Sequence, residues 1–473
     1  MYNKFSEKAE DFINHEEILS TIEYAKKNSH NRALLQETME VARLGKGLDH
    51  RQAALLLACQ EEDTIEDIYT LAKEIKEAHY GSRIVLFAPL YLSNYCVNGC
   101  VYCPYHYSNK HIPRKKLTQE EIKEEVIALQ DMGHKRLALE LGEDPVNNPL
   151  EYVLESIKTI YSIEHKNGKI RRVNVNIAAT SVENYKKLKD AGIGTYILFQ
   201  ETYNKDSYES LHPTGPKHNY AYHTEAMDRA MEAGIDDVGV GVLFGLETYM
   251  YELIGLLMHG EHLEARFGVG PHTISVPRIQ PGDGIDPEDF KNALADDIFL
   301  KIIALIRISV PYTGMIISTR ESKQVREKAL EYGMSQISGG SRTSVGGYSH
   351  PEEEEISSAQ FELSDNRTLA EVVDWLIELG YIPSFCTACY REGRTGDRFM
   401  QLCKSKQIQN CCHPNALMTL KEYLLDYGSD KAKALGEALI QKELQNIPNE
   451  RARKLAQEYI QEMEVSGKRD FRF

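Results

Sequence analysis

The sequence predicts an α/β protein built on a complete (β/α)8 barrel of the TIM type, preceded by a helical extension and followed by a mainly helical domain. Between residues 81 and 347, short apolar runs alternate with helical patterns about eight times. The helices end at glycines such as Gly192, Gly234 and Gly333, as helix C-termini often do. Parallel strands joined by helices in that number favour a closed barrel.

Length and composition exclude several classes of protein. The 473 residues exceed one ordinary domain, and a charged fraction of 27% is typical of globular proteins. No signal peptide and no apolar run of roughly 20 residues is present, so we expect a cytoplasmic protein with no membrane partner. A net charge of −16 disfavours nucleic-acid partners. Nine cysteines, grouped mainly in two places, favour metal binding over disulfides.

The chain is predicted to divide into three parts: a helical extension (1–80), the barrel (81–347) and a C-terminal helical domain (348–473). In the extension, residues such as Ile18 and Ile22 recur at helical spacing. A capping box at Thr118 opens a helix that ends near Gly133. The predicted barrel strands are 83–88, 137–141, 172–178, 195–200, 237–244, 272–279, 315–319 and 334–338.

Directly after the first strand, Cys96, Cys100 and Cys103 form a C-x3-C-x2-C loop. Barrel enzymes place their chemistry on such loops after the strands. A cubane iron–sulfur cluster normally takes four thiolates, so three in one loop leave one iron open to a small molecule. Zinc sites usually show paired C-x2-C halves or added histidines, so this spacing argues against zinc.

This spacing resembles the radical S-adenosylmethionine (radical SAM) superfamily, in which SAM binds the open iron of a 4Fe-4S cluster. The resemblance implies that Tyr102 lies beside the adenine of SAM. It also implies that Gly142 and Glu143 contact the SAM amino group, although Leu141 replaces the first glycine of the superfamily's Gly-Gly-Glu pattern. The alternative for this stretch is a plain turn at the end of a strand.

Other strand ends carry polar residues that we expect at the same face. Asn174 and Asn176 alternate along the third strand, so both could face the barrel interior. At the end of the fourth strand, Gln200 and Glu201 could hydrogen-bond the SAM ribose or cap the next helix. 

The seventh strand ends in Ser318-Thr319-Arg320-Glu321. An arginine at the active-site mouth can bind a carboxylate through two parallel hydrogen bonds, which suggests an amino-acid or carboxylic-acid substrate. The alternative is a surface arginine paired with Glu321.

A second cysteine group lies in the C-terminal domain, after a charge run at 350–355 that is predicted to be a solvated linker. Cys386 and Cys389 form a C-x2-C pair, and Cys412 follows Cys389 at C-x22-C spacing. Spacing alone does not choose between Cys411 and Cys412. Structural zinc is possible here, but a second iron–sulfur cluster is favoured.

Together these motifs resemble the radical SAM tyrosine lyases that mature FeFe-hydrogenase, and the resemblance runs nearly end to end. It selects Cys412 and implies an auxiliary 4Fe-4S cluster with a labile fifth iron. It further implies that SAM cleavage initiates scission of the Cα–Cβ bond of L-tyrosine, whose carboxylate Arg320 and Ser318 hold. The products would be p-cresol and dehydroglycine (2-iminoacetate), and dehydroglycine would then yield carbon monoxide and cyanide. An Fe(CO)2(CN) synthon with cysteine would leave for the hydrogenase H-cluster.

The same resemblance implies partners: an electron donor such as ferredoxin or flavodoxin, and other hydrogenase maturation proteins. His272, at the start of the sixth strand, faces the bottom of the predicted barrel and is the first candidate ligand of the labile iron. His259 and His262 could reach the same region.

Two alternatives are left open by the sequence. A ThiH-like tyrosine lyase would supply dehydroglycine for thiamine thiazole synthesis but would lack the second cluster. A non-enzymatic iron–sulfur carrier or electron-transfer protein would need neither an open iron nor Arg320 at the barrel mouth. Detection of p-cresol separates the lyases from the carrier.

Overall fold

Eight parallel strands close into a barrel, which confirms the predicted fold class. The computed structural model describes residues 1–350, 358–405 and 407–473. In chain order the strands are β1 (Arg83–Ser93), β2 (Arg136–Leu141), β3 (Glu164–His165), β4 (Gly168–Lys169), β5 (Arg172–Asn176), β6 (Tyr196–Ile197), β7 (Val238–Gly241), β8 (Thr273–Ser275), β9 (Gly314–Ile317), β10 (Gln336–Ser338) and β11 (Ile382–Ser384). Strands β3 and β4 form a separate antiparallel hairpin, and β10 pairs with β1 to close the barrel.

The barrel strands are mostly shorter than predicted at their carboxyl ends. For example, β7 ends at Gly241 and β8 at Ser275, whereas apolar residues continue to Phe244 and Ile279. Beyond those points pairing persists only as isolated bridges, such as that between Phe244 and Arg278. The chain there turns into the loops that form the barrel mouth, so the apolar runs mark burial rather than ladder pairing.

Alternate residues of strand β1 face the outside and the inside of the barrel. Ile84, Leu86 and Ala88 are buried against the surrounding elements, while the alternate residues Phe87 and Pro89 line an internal cavity. Side chains on a strand point alternately to opposite faces, so one strand serves both surfaces.

Helices surround the barrel and build both flanking parts. They are α1 (Ala9–Phe12), α2 (His15–Asn28), α3 (Arg32–Arg43), α4 (His50–Ala58), α5 (Glu62–Tyr80), α6 (Gln119–Met132), α7 (Leu150–Ser162), α8 (Val182–Asp190), α9 (Lys205–Leu211), α10 (Tyr220–Thr224), α11 (Ala226–Glu232), α12 (Tyr249–Phe267), α13 (Asp296–Ser309), α14 (Lys323–Tyr332), α15 (Leu369–Glu378), α16 (Ala388–Arg391), α17 (Gly396–Lys404), α18 (Cys412–Asp426), α19 (Asp430–Leu444) and α20 (Glu450–Ser466). No helix in the described ranges has the length and apolar character needed to cross a membrane.

Helix α6 forms as its sequence predicts. The Thr118 side chain accepts a hydrogen bond from Glu121 N, and the Glu121 carboxylate accepts one from Thr118 N. Gly133 ends the helix in the left-handed region. In the C-terminal domain, α18 and α19 are separated at Gly428, and Ser429 caps the second of them.

Main-chain hydrogen bonds join the C-terminal part of the chain to both ends of the barrel. Its strand β11 pairs in parallel with the start of β1, matching Arg83 to Ile382. Residues 358–367 cross the opposite, carboxyl end, where Ser364 N and Asp365 N both donate to Thr319 O. The charge run at 350–355, predicted to be a linker, lies outside the described residues apart from His350.

Candidate active site

The three cysteines of the first motif lie together at the carboxyl end of β1. Cys96, Cys100 and Cys103 line one cavity of about 250 Å³ inside the barrel mouth, and all three are free thiols. Burial raises the pKa of Cys103 to about 11 and also raises those of Cys96 and Cys100. Buried thiols of this kind stay protonated near neutral pH until a metal displaces the proton.

Hydrogen bonds and one close approach hold the cysteine loop in place. Val97 N donates to Glu143 O at 2.8 Å, which ties the loop to the turn after β2. A side chain at Gly142 would place its Cβ 2.4 Å from Tyr95 O, so this turn requires glycine. On the other side, the Arg114 guanidinium donates to four carbonyl oxygens, including Asn94 O at 2.6 Å.

The residues predicted to contact SAM mostly face this cavity. Tyr102 lines it, and the Tyr102 hydroxyl lies 2.7 Å from His212 Nε2. Gly142 and Glu143 also line it. Burial raises the pKa of Glu143, while a hydrogen bond from Asn98 Nδ2 at 2.6 Å opposes that rise.

Glu201 and Gln200 leave the end of β6 in opposite directions. Glu201 lines the cavity, adopts a left-handed φ of 67° and accepts from Lys217 Nζ at 2.7 Å. Burial disfavours the charge on Lys217, but Glu201 outweighs it and raises the pKa of the amine. Gln200 is outside the cavity lining and donates to Thr224 Oγ1, so its contact with the SAM ribose stays a prediction. Alternation along the chain explains the difference.

Asn174 and Asn176 both line the cavity from β5, as their alternation predicts. Asn174 Oδ1 already accepts from Arg172 Nε at 3.0 Å, whereas Asn176 Nδ2 donates to Glu140 Oε2 at 2.7 Å. Their amides are therefore committed in part to neighbouring side chains.

Of the described cations that line this cavity, Arg320 is the one without an anionic partner, since Lys217 pairs with Glu201. Its guanidinium stacks on the Phe361 ring at 3.4 Å from the centroid, and no described residue forms an ion pair or side-chain hydrogen bond with it. The surface alternative fails because Glu321 is buried and pairs with Arg278 instead. Ser318 lines the cavity two residues earlier, and its hydroxyl accepts from Arg320 N at 3.3 Å.

Several cavity residues were not predicted from the sequence. Glu140, paired with Tyr91 across β1 and β2, has its pKa raised to about 8 because it is buried. Glu140 stands two residues after Ala138 near the end of β2, so the two side chains face the same side, and this alternation could have identified Glu140 as a cavity residue. Gln360 and Phe361 come from the segment before α15, and no local pattern marks them. Gln360 receives a hydrogen bond from the Tyr91 hydroxyl at 2.8 Å.

A second, smaller cavity of about 70 Å³ lies at the other end of the barrel. It is lined by Cys386, Cys389 and Cys412 together with His272. Cys411 is not part of that lining, although its sulfur lies 4.0 Å from Cys412 Sγ. A hydrogen bond with Cys412 lowers the pKa of Cys389 to about 6, and the two sulfurs are 3.5 Å apart.

His272 lines the second cavity as a neutral imidazole that could hold a metal. Burial lowers its pKa to about 4, so the imidazole is uncharged near pH 7. Its Nδ1 lies 3.3 Å from Asp237 Oδ1 outside hydrogen-bond geometry, and its ring packs on Phe399. His259 and His262 are elsewhere, on α12, where they bond Tyr203 and Asp228, so neither reaches the second cysteine group.

Three arginines surround the second cavity. Arg83 and Arg136 donate to the carbonyl oxygens of Tyr80 and Cys386, both at 2.7 Å, whereas Arg172 pairs with Asp237. The three guanidinium groups outnumber the one carboxylate, Asp237, that pairs with them, so the surroundings of the cavity are cationic. Such a surrounding stabilises thiolates.

Both cavities fit iron–sulfur clusters by the chemistry of their donors. Each offers three thiols to one enclosed space, and the first keeps further room beside them. Among the described residues no three His, Cys, Asp or Glu side chains converge closely enough for a single metal ion. A cubane distributes its thiolates over separate irons, so it does not require that convergence. The close pair Cys389 and Cys412 would have to separate on binding.

Comparison with known proteins agrees with this architecture. The radical SAM superfamily model matches residues 90–256, and the model of the biotin and thiamin synthesis associated domain matches residues 275–382. A crystal structure of HydG, a maturase of the [FeFe]-hydrogenase, is 55% identical with a TM-score of 0.94, covering 98% of this chain and 100% of that one.

Two further relatives extend the comparison. The HydG structure from Carboxydothermus hydrogenoformans is 39% identical with a TM-score of 0.81, covering 96% of this chain and 99% of that one. A 2-iminoacetate synthase of Salmonella typhimurium is 30% identical over 64% of this chain and 78% of its own length. With its barrel, its cysteine loop and these relatives, the chain belongs to the radical SAM superfamily and, within it, to the HydG family.

Proposed function

We propose that this chain is a radical SAM lyase that cleaves the Cα–Cβ bond of L-tyrosine to p-cresol and dehydroglycine. We further propose that dehydroglycine yields carbon monoxide and cyanide in the second cavity, for assembly of the FeFe-hydrogenase H-cluster. The observation that carries the proposal is Arg320, a guanidinium with no ion-pair partner among the described residues, inside the cavity that holds three thiols. A cation in that position suits the carboxylate of an amino acid.

Each cavity would hold one cofactor group. Cys96, Cys100 and Cys103 would bind a 4Fe-4S cluster with SAM at its open iron. Cys386, Cys389 and Cys412 would bind the auxiliary cluster, with His272 as ligand of the labile iron. The chemistry such a cluster would supply there, once reduced, is the transfer of one electron to SAM, which would give methionine and a 5′-deoxyadenosyl radical.

The chain's own residues bind and orient the substrate. Arg320 donates two parallel hydrogen bonds to the tyrosine carboxylate, and stacking on Phe361 fixes the plane of the guanidinium. Ser318 supplies a hydroxyl beside it. Glu140 holds a proton near pH 7 because burial raises its pKa to about 8, so it adds no negative charge that would repel the carboxylate.

The enclosure also protects the chemistry. A carbon radical must be kept from water and from stray hydrogen donors, and a closed barrel capped by the segment that carries Gln360 and Phe361 provides that protection. The electron donor, such as ferredoxin or flavodoxin, and the other maturation proteins remain predictions.

Anaerobic reconstitution tests the proposal. The protein is loaded with iron and sulfide, then given dithionite, SAM and L-tyrosine, and p-cresol, carbon monoxide and cyanide are measured. All three products are expected. No p-cresol would remove the lyase assignment, whereas p-cresol without carbon monoxide or cyanide would indicate ThiH-like chemistry.

Neighbouring cysteines offer a matched pair of variants. Cys412→Ser should keep p-cresol formation and lose carbon monoxide and cyanide, because Cys412 lines the second cavity. Cys411→Ser removes the adjacent thiol, which is outside that lining, and should keep all three products. Equal loss in both variants would contradict the assignment of Cys412.

A further inference from the structure

The two cavities meet at one side chain. Gln336, the first residue of β10, lines the cavity of the first cysteine group and also the cavity of the second. Of the described residues that line either cavity, it is the one common to both. Its position lies between the two ends of the barrel, where a molecule moving from one cavity to the other would pass.

A glycine next to Gln336 leaves room for its amide at this junction. Closed barrels of this kind are normally filled by large branched side chains. Here Gly314, on the neighbouring strand β9, has no side chain, and a Cβ there would be 2.6 Å from Gln336 Nε2. The glutamine amide therefore occupies the space that a larger residue at 314 would fill.

The amide of Gln336 also lacks a protein partner. The residue is 7% exposed, yet no described residue hydrogen-bonds its side chain. Buried amides normally have partners, as Gln130 has in Ile163 O at 3.0 Å. An unpartnered amide facing two cavities is available to whatever occupies the space between them.

We propose that Gln336 is the positioning residue that controls passage of the polar product from the first cavity to the second. The inference rests on the proposed function, in which dehydroglycine forms in one cavity and is consumed in the other. Dehydroglycine carries a carboxylate and an imine, which match the amide's Nε2–H donor and its Oε1 acceptor. The second product, p-cresol, is larger and has no carboxylate.

Charge beyond the junction favours the same direction of movement. Arg136 and Arg172 line the second cavity just past Gln336, and Arg136 has no carboxylate partner among the described residues. A small anion that passes the junction therefore meets cationic groups. Dehydroglycine that escapes instead reacts with water, whose oxygen replaces the imine nitrogen to give glyoxylate and ammonia.

Two substitutions of similar size test the role of the amide. Gln336→Met keeps the length of the side chain and removes its hydrogen bonds, while Gln336→Glu keeps the shape and adds a charge that repels a carboxylate. In both, p-cresol formation should stay within about twofold of the parent. The ratio of glyoxylate to carbon monoxide plus cyanide should rise about tenfold with methionine and further with glutamate.

A binding measurement gives a readout that does not depend on turnover. Oxamate, a stable anion with a planar C–N group beside its carboxylate, is titrated calorimetrically into the reconstituted protein. Its affinity should fall about tenfold in Gln336→Met. Iron content and the electron paramagnetic resonance of both clusters should match the parent, which separates loss of passage from loss of a cluster.

One control variant and one further test variant complete the experiment. Gln130→Met makes the same substitution at a buried glutamine on α6 outside both cavities and should leave the product ratio unchanged. Gly314→Ala should raise the ratio, because its Cβ crowds Gln336 Nε2. The passage role would be overturned if both Gln336 variants kept the parent's ratio of glyoxylate to carbon monoxide plus cyanide and its oxamate affinity. It would also be overturned if p-cresol formation fell as much as carbon monoxide and cyanide formation. Absence of p-cresol from the parent protein would instead defeat the proposed function.

Discussion

Replacing Arg320 by glutamine should weaken tyrosine cleavage without unfolding the protein. The guanidinium bonds no described side chain, so its removal leaves no buried protein group unpaired, and the lost energy belongs to the substrate contact. Losing a buried charge-assisted pair costs about 2 to 4 kcal/mol, which corresponds to a fall of roughly 30- to 1000-fold in kcat/KM. Arg320→Lys should fall less, because it keeps the charge but loses the bidentate geometry.

The assay is p-cresol formation over a range of L-tyrosine concentrations, with thermal unfolding measured in parallel. Arg229→Gln is the matched control, since Arg229 also stacks on an aromatic ring, Tyr222 at 3.9 Å, but lies outside the cavity. Tyramine, which is tyrosine without its carboxylate, serves as the ligand control for the contact with Arg320. A normal KM and kcat in Arg320→Gln, or an equal loss in Arg229→Gln, would refute the reasoning.

Two further predictions concern buried titratable groups. His272→Ala should keep p-cresol formation and lose the labile iron, because its imidazole lines the second cavity; full iron content in the variant would contradict this. Glu140 has its pKa raised from 4.5 to about 8, so its charge is disfavoured more in the folded chain than in the unfolded one. Its contribution to stability is therefore greatest below pH 4.5, declines as pH rises to about 8 and is constant above it. Glu140→Gln should gain about 4 kcal/mol of stability relative to the parent between pH 5 and pH 9. The urea midpoints of the two proteins at both pH values measure this gain, and a constant difference between them would disprove it.

The barrel was predictable because its signals are local and repeated. Each strand is an apolar run with a helical pattern after it, and each run needs only its neighbours in the chain to be recognised. Its limits were less predictable, since residues such as Phe244 and Ile279 stay buried in loops that continue past the last ladder bond. Burial and strand pairing are different properties, and hydrophobicity reports the first.

The candidate site divides in the same way. Asn174 and Asn176 line the cavity as expected because alternation along a strand sets which side chains face inward, and Arg320 does so from the end of the seventh strand. Gln200 and Glu201 were proposed together from their place at the end of the fourth strand, but the Gln200 side chain bonds Thr224 and does not line the cavity. Gln360 and Phe361 could not be found, because their approach to Arg320 depends on how a segment far along the chain crosses the barrel mouth.

By itself the sequence determined the fold class and the two groups of cysteines, because strand periodicity and thiol spacing are written within short stretches of chain. Thiol spacing did not choose between Cys411 and Cys412; the family resemblance selected Cys412, and the tertiary structure places that thiol in the lining of the second cavity. It also separated His272 from His259 and His262, and it brought Gln336 to the junction of the two cavities. These choices depend on packing between residues distant in sequence, which no local pattern encodes.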